Sequence, residues 1–353
     1  RLPNGIKGLS ERIEAMGIKF GLWFEPEMTN KDSDLYRAHP DWILHTPGRN
    51  TSHGRYQYVL DFSRKEVVEY IYEMMAKILS EAKVSYIKWD MNRSITECYS
   101  VALPADRQGE VFHRYILGVY DLYERLTSEF PEVLFESCSS GGGRFDPGML
   151  YYAPQGWTSD DSDAIERLKI QYGTSLCYPI SSMGSHVSVI PNHQVFRKTP
   201  LHTRANVAYF GTFGYELDLN SLKEEEIAEV KEQIIFMKKY RKLFQFGDFY
   251  RLKSPFEGNE TIWMVVSEDK KTAIVGYYRT LNGVNQAYSR IKLQGLDPDM
   301  LYENILNKTE NYGDELMNFG LITTDVTAGE VPGDATPCTD FESRIYILKA
   351  KEK

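Results

Sequence analysis

The strongest constraint on the fold is a regular alternation. Through residues 1–246, short apolar runs of strand length keep giving way to stretches with helical periodicity. Ile18 to Phe24 is an apolar run stopped by Glu25-Pro26-Glu27 and reads as a buried strand. Tyr56 to Phe62 reads as a second strand. Ser63 and Glu66 then form a capping box for a helix whose Val67, Ile71, Met74, Met75, Ile78 and Ala82 recur at helical spacing. Val84 to Asp90 is a third strand. Val111 to Phe130 is a helix with Tyr115, Val119, Leu122, Tyr123 and Leu126 on one face. Val133 to Ser137 and Gly156 to Ser159 are strands four and five, the latter followed by a helix through Ile165, Leu168 and Tyr172. Ser175 to Ile180 and Ala205 to Phe210 read as strands six and seven. A last helix runs from a capping box of Ser221 and Glu224 to about Lys242.

Strands separated by helices pair in parallel, and this length suits an α/β (β/α)8 TIM barrel. Seven strands are counted, behind a helix capped by Ser10 and ended by Gly17. The simplest explanation is that the first barrel strand lies upstream of Arg1. The chain opens on Arg rather than Met, which agrees with an N-terminally truncated barrel at 1–246. Beyond it, Ile262 to Val266, Thr272 to Tyr278, Ser289 to Leu293 and Arg344 to Leu348 are short strands joined by turns, with no helix between them. They predict a small antiparallel β-sandwich domain at 247–353.

Composition excludes several partners. The formal net charge of −9 disfavours nucleic acid and acidic membranes, which both want a basic surface. No apolar run spans a bilayer and no signal peptide opens the chain. Cys98, Cys138, Cys177 and Cys338 lie far apart with no metal spacing, and read as reduced thiols of a cytoplasmic protein. The seven histidines are scattered and read as structural or surface residues. Aromatic residues are abundant, with 24 Tyr, 17 Phe and 5 Trp, enough for sugar stacking but equally for a large aromatic core.

In a barrel the chemistry sits where strands end at the C-terminal face. Those ends are Glu25-Pro26-Glu27, Asp61, Lys88 to Arg93, Glu136-Ser137-Cys138 and Trp157 to Asp161. Side chains alternate along a strand, so Ile87 and Trp89 face the helices while Tyr86, Lys88 and Asp90 point inward. A Lys beside an Asp keeps the carboxylate ionised, as a nucleophile requires; a structural Lys88–Asp90 salt bridge is the competing reading. Asp160, Asp161 and Asp163 repel one another, which suits a general acid; the competing reading is a helix cap, a role that Asp161 or Asp163 fits. Asp160 stands closest to the strand end. Ser137 to Arg144 is a glycine-rich loop. It lacks the Gly-Lys-Ser/Thr ending of a phosphate loop and reads as facing a sugar.

Four long motifs occur together in order: Phe20-Gly21-Leu22-Trp23-Phe24-Glu25-Pro26-Glu27-Met28, Lys88-Trp89-Asp90-Met91-Asn92-Arg93, Glu136 to Arg144 and Trp157-Thr158-Ser159-Asp160. In these the chain resembles the α-galactosidases of glycoside hydrolase family 36. The resemblance implies a retaining hydrolase of terminal α-1,6-galactose in melibiose- or raffinose-type sugars, with Asp90 as nucleophile and Asp160 as acid/base. It implies sugar contacts from Lys88, Asn92, Cys138, Gly141 and Trp157, and from Arg55, with Arg49 as the nearby rival. It implies no metal or organic cofactor, and tetramers of identical chains. The family carries an N-terminal β domain and a first strand ending in an Asp pair, and neither is found here. Two alternatives stay open: an α-glycosidase or transglycosylase of other sugar specificity, and an inactive carbohydrate-binding fragment.

Overall fold

A computed structural model describes residues 2–284, 289–323 and 340–351. The chain forms two compact units, Arg1–Asp160 and Asp161–Lys353.

The first unit runs α1 (Gly5–Ala15), β1 (Phe20–Phe24), β2 (Met28–Thr29), α2 (Asp34–Ala38), β3 (Tyr58–Val59), α3 (Lys65–Glu81), β4 (Val84–Trp89), α4 (Val111–Glu129), β5 (Leu134–Ser137), α5 (Pro147–Tyr152) and β6 (Gln155–Gly156). Strands β1, β4, β5 and β6 lie side by side in that order, all parallel. The register sets Phe24 beside Trp89, Trp89 beside Ser137 and Ser137 beside Gly156. The strands therefore end at one level, which puts Glu25, Asp90, Cys138 and Trp157 along one edge. The alternation predicted for β4 holds: Ile87 and Trp89 are fully buried in one core with the inner faces of α3 and α4. Trp89 stacks on Tyr123 of α4 with ring centres 4.0 Å apart. Gly118 lets α4 approach closely, because a Cβ there would fall 1.9 Å from the Phe62 carbonyl oxygen.

Three expectations for this unit are corrected. Tyr56 to Phe62 is not a barrel strand: only β3 is extended, and it pairs antiparallel with β2. The cause is turn chemistry. The buried Asp61 carboxylate accepts hydrogen bonds from the Ser63 amide at 3.1 Å and from the Ser63 and Ser100 hydroxyls, which stops the strand. Ser63 is thereby taken, and α3 begins after Arg64 with no side-chain cap. Its buried face is Val67, Val68, Ile71, Met75 and Leu79, with Met74 outside. Ser10 lies inside α1, where its hydroxyl donates to the Lys7 carbonyl at 2.8 Å.

The second unit begins with α6 (Ala164–Thr174), β7 (Gly184–Ser188), α7 (Leu201–Ala208), β8 (Thr212–Glu216) and α8 (Glu224–Phe246). Strands β7 and β8 are parallel neighbours. Ser175 to Ile180 is not a strand but the approach to a short 3-10 turn at Ile180–Ser182, after Pro179. Ala205 to Phe210 falls mostly in α7, a helix buried nearly all round; periodicity cannot tell such a helix from a buried strand. Helix α8 is capped by Glu226, which accepts from the Lys223 amide at 2.9 Å, rather than by Ser221 and Glu224.

Beyond α8 come β9 (Asp248–Lys253), β10 (Glu260–Val266), β11 (Thr272–Arg279), β12 (Arg290–Ile291), β13 (Leu301–Asn304), β14 (Glu310–Tyr312), α9 (Gly313–Asn318), β15 (Leu321–Ile322) and β16 (Glu342–Ala350). A six-stranded sheet ordered β14-β13-β16-β11-β10-β9 and a two-stranded sheet of β12 and β15 form the antiparallel β region. A short helix, α9, does intervene. The fold class is the one predicted, a (β/α)-barrel type chain followed by an antiparallel β-sandwich. Among the described residues its parallel strands form a four-stranded and a two-stranded sheet rather than a closed ring. Among the described residues no helix is long and apolar enough to cross a membrane. Cys98, Cys138 and Cys177 are free thiols; Cys338 lies outside the described residues.

Candidate active site

Strand β4 delivers Asp90 to the edge of the parallel sheet, where its amide donates to the Phe24 carbonyl at 2.8 Å. The side chain is 6% exposed and meets a ring of donors. Oδ2 accepts from the Trp23 indole at 3.1 Å and from the Asn92 amide group at 2.6 Å. Oδ1 accepts from the Met91 backbone amide at 2.9 Å, and the Cys138 thiol also hydrogen-bonds to the carboxylate. Burial disfavours the charge, but the bonds from Cys138, Asn92, Trp23 and Met91 outweigh it and hold the Asp90 pKa below its ordinary value. Burial and the neighbouring Asp90 charge in turn push the Cys138 thiol up to about 12. Cys138 is therefore a hydrogen donor here and not a nucleophilic thiolate.

Lys88 takes a different partner from the one its sequence neighbourhood suggested. Its Nζ pairs with Glu136 Oε1 at 3.1 Å and lies 4.5 Å from the centre of the Trp157 ring. The parallel register sets Lys88 directly beside Glu136, so the neighbouring strand supplies the counter-charge. Glu136 is buried, and its other oxygen accepts from the Tyr86 hydroxyl and the Gln155 amide. Asn92 bridges three elements, since its backbone amide donates to Glu25 at 2.9 Å and its side-chain oxygen accepts from Ser140 at 3.4 Å.

Below this edge lies a second carboxylate. Glu27 is fully buried, with Oε1 accepting from Trp89 Nε1 and Arg144 Nη2, both at 2.8 Å. Oε2 accepts from Arg144 Nη1 at 3.0 Å and from the Tyr115 hydroxyl. One carboxylate thus ties the residue before Asp90, the far end of the glycine turn and helix α4. The fork-on-fork geometry with arginine is the strong form of such a pair.

The structure brings Asp90, Lys88, Asn92, Cys138 and Trp157 to one edge of the sheet. Gly141 and Asp160 belong to the adjoining loops, with Asp160 exposed. The neighbouring aspartates have other work, as the competing reading had it. Asp163 caps α6 through the Ile165 and Glu166 amides at 3.0 and 3.1 Å and pairs with Arg197, while Asp161 accepts from the Asp163 amide at 3.0 Å. Arg55 lies in the loop between α2 and β3. It sits exposed with Tyr56 at the tip of a tight hairpin closed by the Gln57 amide on the Gly54 carbonyl at 2.8 Å. Both tip residues are left-handed, φ 53° and 61°, a conformation that favours glycine. Buried Arg93 holds the hairpin base through the Ser52 carbonyl at 2.6 Å. Arg49 is exposed in a separate turn.

Sequence reasoning missed Trp23 and gave no role to Glu25, Glu27 or Glu136. The signal for Trp23 lay in the sheet register, which pairs it with Lys88 on the neighbouring strand. Among the described residues, no group of three or more His, Cys, Asp or Glu is placed to hold a metal.

Fold and site define a class: a (β/α)-barrel protein with a C-terminal β domain and a mouth built from an ionised aspartate, an amine and indole rings. Residues 1–247 match the melibiase family model, and residues 260–348 match the glycosyl hydrolase family 36 C-terminal domain. The chain belongs to the melibiase family. Alpha-galactosidase AgaA of Geobacillus stearothermophilus is 56% identical over 355 residues, a match covering 100% of this chain and 47% of the relative. Its crystal structure superposes with a TM-score of 0.93 at 53% identity, over 99% of this chain and 47% of that one. The alpha-galactosidase of Lactobacillus brevis gives a TM-score of 0.95 at 51% identity, over 99% and 47%. Variants of AgaA have been solved in complex with raffinose and with stachyose. The chain spans about half the length of the curated relatives it matches.

Proposed function

We propose that the protein of which this chain is part is a retaining α-galactosidase acting on terminal α-1,6-galactose in melibiose- and raffinose-type sugars. The observation that carries the reading is the donor ring around Asp90, which keeps a nearly buried carboxylate ionised at the strand edge. Asp90 attacks the anomeric carbon while Asp160 protonates the leaving oxygen. A galactosyl–Asp90 ester forms, and water deprotonated by Asp160 then opens it with overall retention. Lys88, Asn92, Cys138, Gly141, Trp157 and Arg55 contact the sugar.

Two further observations support this reading. The AgaA variants solved with raffinose and with stachyose each carry a substituted aspartate. Those two aspartates stand as far apart along that chain as Asp90 and Asp160 do here. The relatives are named alpha-galactosidases, which favours galactose over other sugars. The same reading divides the chain into a barrel domain at 1–246 and a β domain at 247–353, in a cytoplasmic protein that assembles as identical copies.

The test is hydrolysis of melibiose and raffinose by the full-length protein, followed by NMR of the first-formed anomer. Release of α-galactose is expected. β-Galactose as the first product, or galactose binding without hydrolysis, would refute the reading.

A pH dependence follows from the donor ring. Asp90 is held below its ordinary value of 3.8, so it stays ionised well into acid. Its contribution to stability is present above the ordinary aspartate range and is lost as pH falls through the depressed folded value. The acid limb of kcat/KM should lie below that range. Cys138→Ala removes one donor and should move the limb upward, read from pH–rate profiles with an aryl galactoside. An unmoved limb would show that the thiol does not hold Asp90.

A further inference from the structure

We propose that Gly141 and Gly142 are positioning residues that set Asp160 against Asp90. The inference rests on the glycoside hydrolase reading above and adds the element that fixes one carboxylate relative to the other. The turn that holds these glycines touches both sides of the site. At its start, the Cys138 thiol hydrogen-bonds to Asp90, and the Cys138 amide donates to the Trp89 carbonyl at 2.7 Å. In its middle, two glycines lie against the backbone that carries Asp160. A Cβ on Gly141 would fall 2.8 Å from Ser159 Cα and 2.9 Å from the Asp160 amide nitrogen. A Cβ on Gly142 would fall 2.5 Å from the Thr158 carbonyl oxygen. Side-chain carbons do not approach backbone that closely, so segment 158–160 rests directly on the bare glycine backbone.

The turn itself has little freedom to yield. Ser140 and Gly141 are both left-handed, φ 46° and 80°. The Ser139 amide donates to the Gly141 carbonyl at 2.8 Å, and the Gly143 amide to the Ser139 carbonyl at 3.3 Å. At the far end Arg144 is clamped by buried Glu27. The turn is thus pinned at Asp90 and at Glu27, and the glycines between are the surface against which Asp160 is placed. Asp160 is exposed, so the position of its main chain decides where its carboxylate can reach.

The consequence is specific to proton transfer. Displacing segment 158–160 by about an ångström impairs protonation of the leaving group, a loss of roughly 10²-fold. It leaves the attack by Asp90 nearly intact. The test compares kcat/KM of the full-length protein on melibiose, whose alkoxide must be protonated to leave, and on α-galactosyl fluoride, whose fluoride leaves without a proton. For Gly142→Ala the ratio of melibiose to fluoride should fall by roughly 10²-fold. Gly143→Ala is the control, because its Cβ would strain only the turn itself, 2.7 Å from the Ser139 carbonyl oxygen, and the ratio should hold.

Equal losses on both substrates, or the same change of ratio in Gly143→Ala, would overturn the proposal while leaving the glycosidase reading in place. Should Gly142→Ala not fold, judged by its melting curve, Asp160→Glu decides. With segment 158–160 unable to retract by one methylene the ratio should again fall, and a wild-type ratio would overturn the proposal. Absence of hydrolysis of either substrate by the wild-type protein would instead overturn the glycosidase reading.

Discussion

Asp90→Asn in the full-length protein is expected to lower turnover of melibiose by roughly 10⁴- to 10⁶-fold, the scale on which removal of a covalent nucleophile acts. The geometry makes this substitution a clean one. The asparagine carbonyl can still accept from Trp23 and Asn92, which now share Oδ2. The amide group then faces the Met91 backbone donor, so one hydrogen bond is lost. The side chain keeps its size in a site that is nearly closed to solvent, and the fold should survive with its melting temperature little moved. Galactose binding, measured by calorimetry, should therefore persist while turnover does not. Near-normal turnover would remove Asp90 from the mechanism. Loss of binding and turnover together would make it a binding group rather than a nucleophile.

The second large effect is on stability. Glu27→Gln should destabilise the protein by about 3–5 kcal/mol, because removing one partner of a buried pair leaves the other charge uncompensated. Burial disfavours the Arg144 charge and chiefly Glu27 offsets it, so removing the carboxylate leaves a buried guanidinium, a group that does not give up its proton in proteins, without its counter-charge. The neutral amide also turns an NH2 group toward donors that need an acceptor, one arm of the Arg144 fork together with either Tyr115 or Trp89. The expected fall in melting temperature is on the order of 10 °C. Replacing both Glu27 and Arg144 by apolar residues of similar volume should cost less than the two single changes combined, since no lone charge remains. Additive losses in that cycle would show that the pair contributes little as a pair.

What the sequence made legible follows from how each element buries itself. Strand β1 is a contiguous apolar run ending at Glu25, and alternation along β4 put Asp90 on the inward face beside Lys88, with a structural ion pair as the competing reading. The strand β7 gave no such signal. Its Gly184-Ser185-His186-Val187-Ser188 is packed by close approach rather than by hydrophobicity, as the clash between a Gly211 Cβ and Ser185 Cβ at 2.7 Å shows. Helix α7 buries Thr203 and Arg204 as well as its apolar residues, which removes the one-sided pattern a surface helix displays. In the site, the pairing of Lys88 with Glu136 depends on strand register, which no single strand encodes. The same holds for Trp23, which reaches Asp90 from the adjacent strand. The aspartate run at 160–163 shows the opposite case. Three identical residues have separate duties, because Asp163 is drawn to the α6 amides and Arg197 while Asp160 is left facing solvent.

Trp23 gives the molecule an optical reporter of its own chemistry. Trp42, Trp89, Trp157 and Trp263 are buried, whereas Trp23 is 52% exposed and its indole N–H points at the Asp90 carboxylate. Its emission is expected to lie to the red of the buried indoles, so that red-edge excitation favours it. Neutralising the carboxylate, esterifying it with a sugar or displacing the indole each alters the field across that ring. The red-edge fluorescence of Trp23 is thus expected to respond to the charge on Asp90, with no label attached.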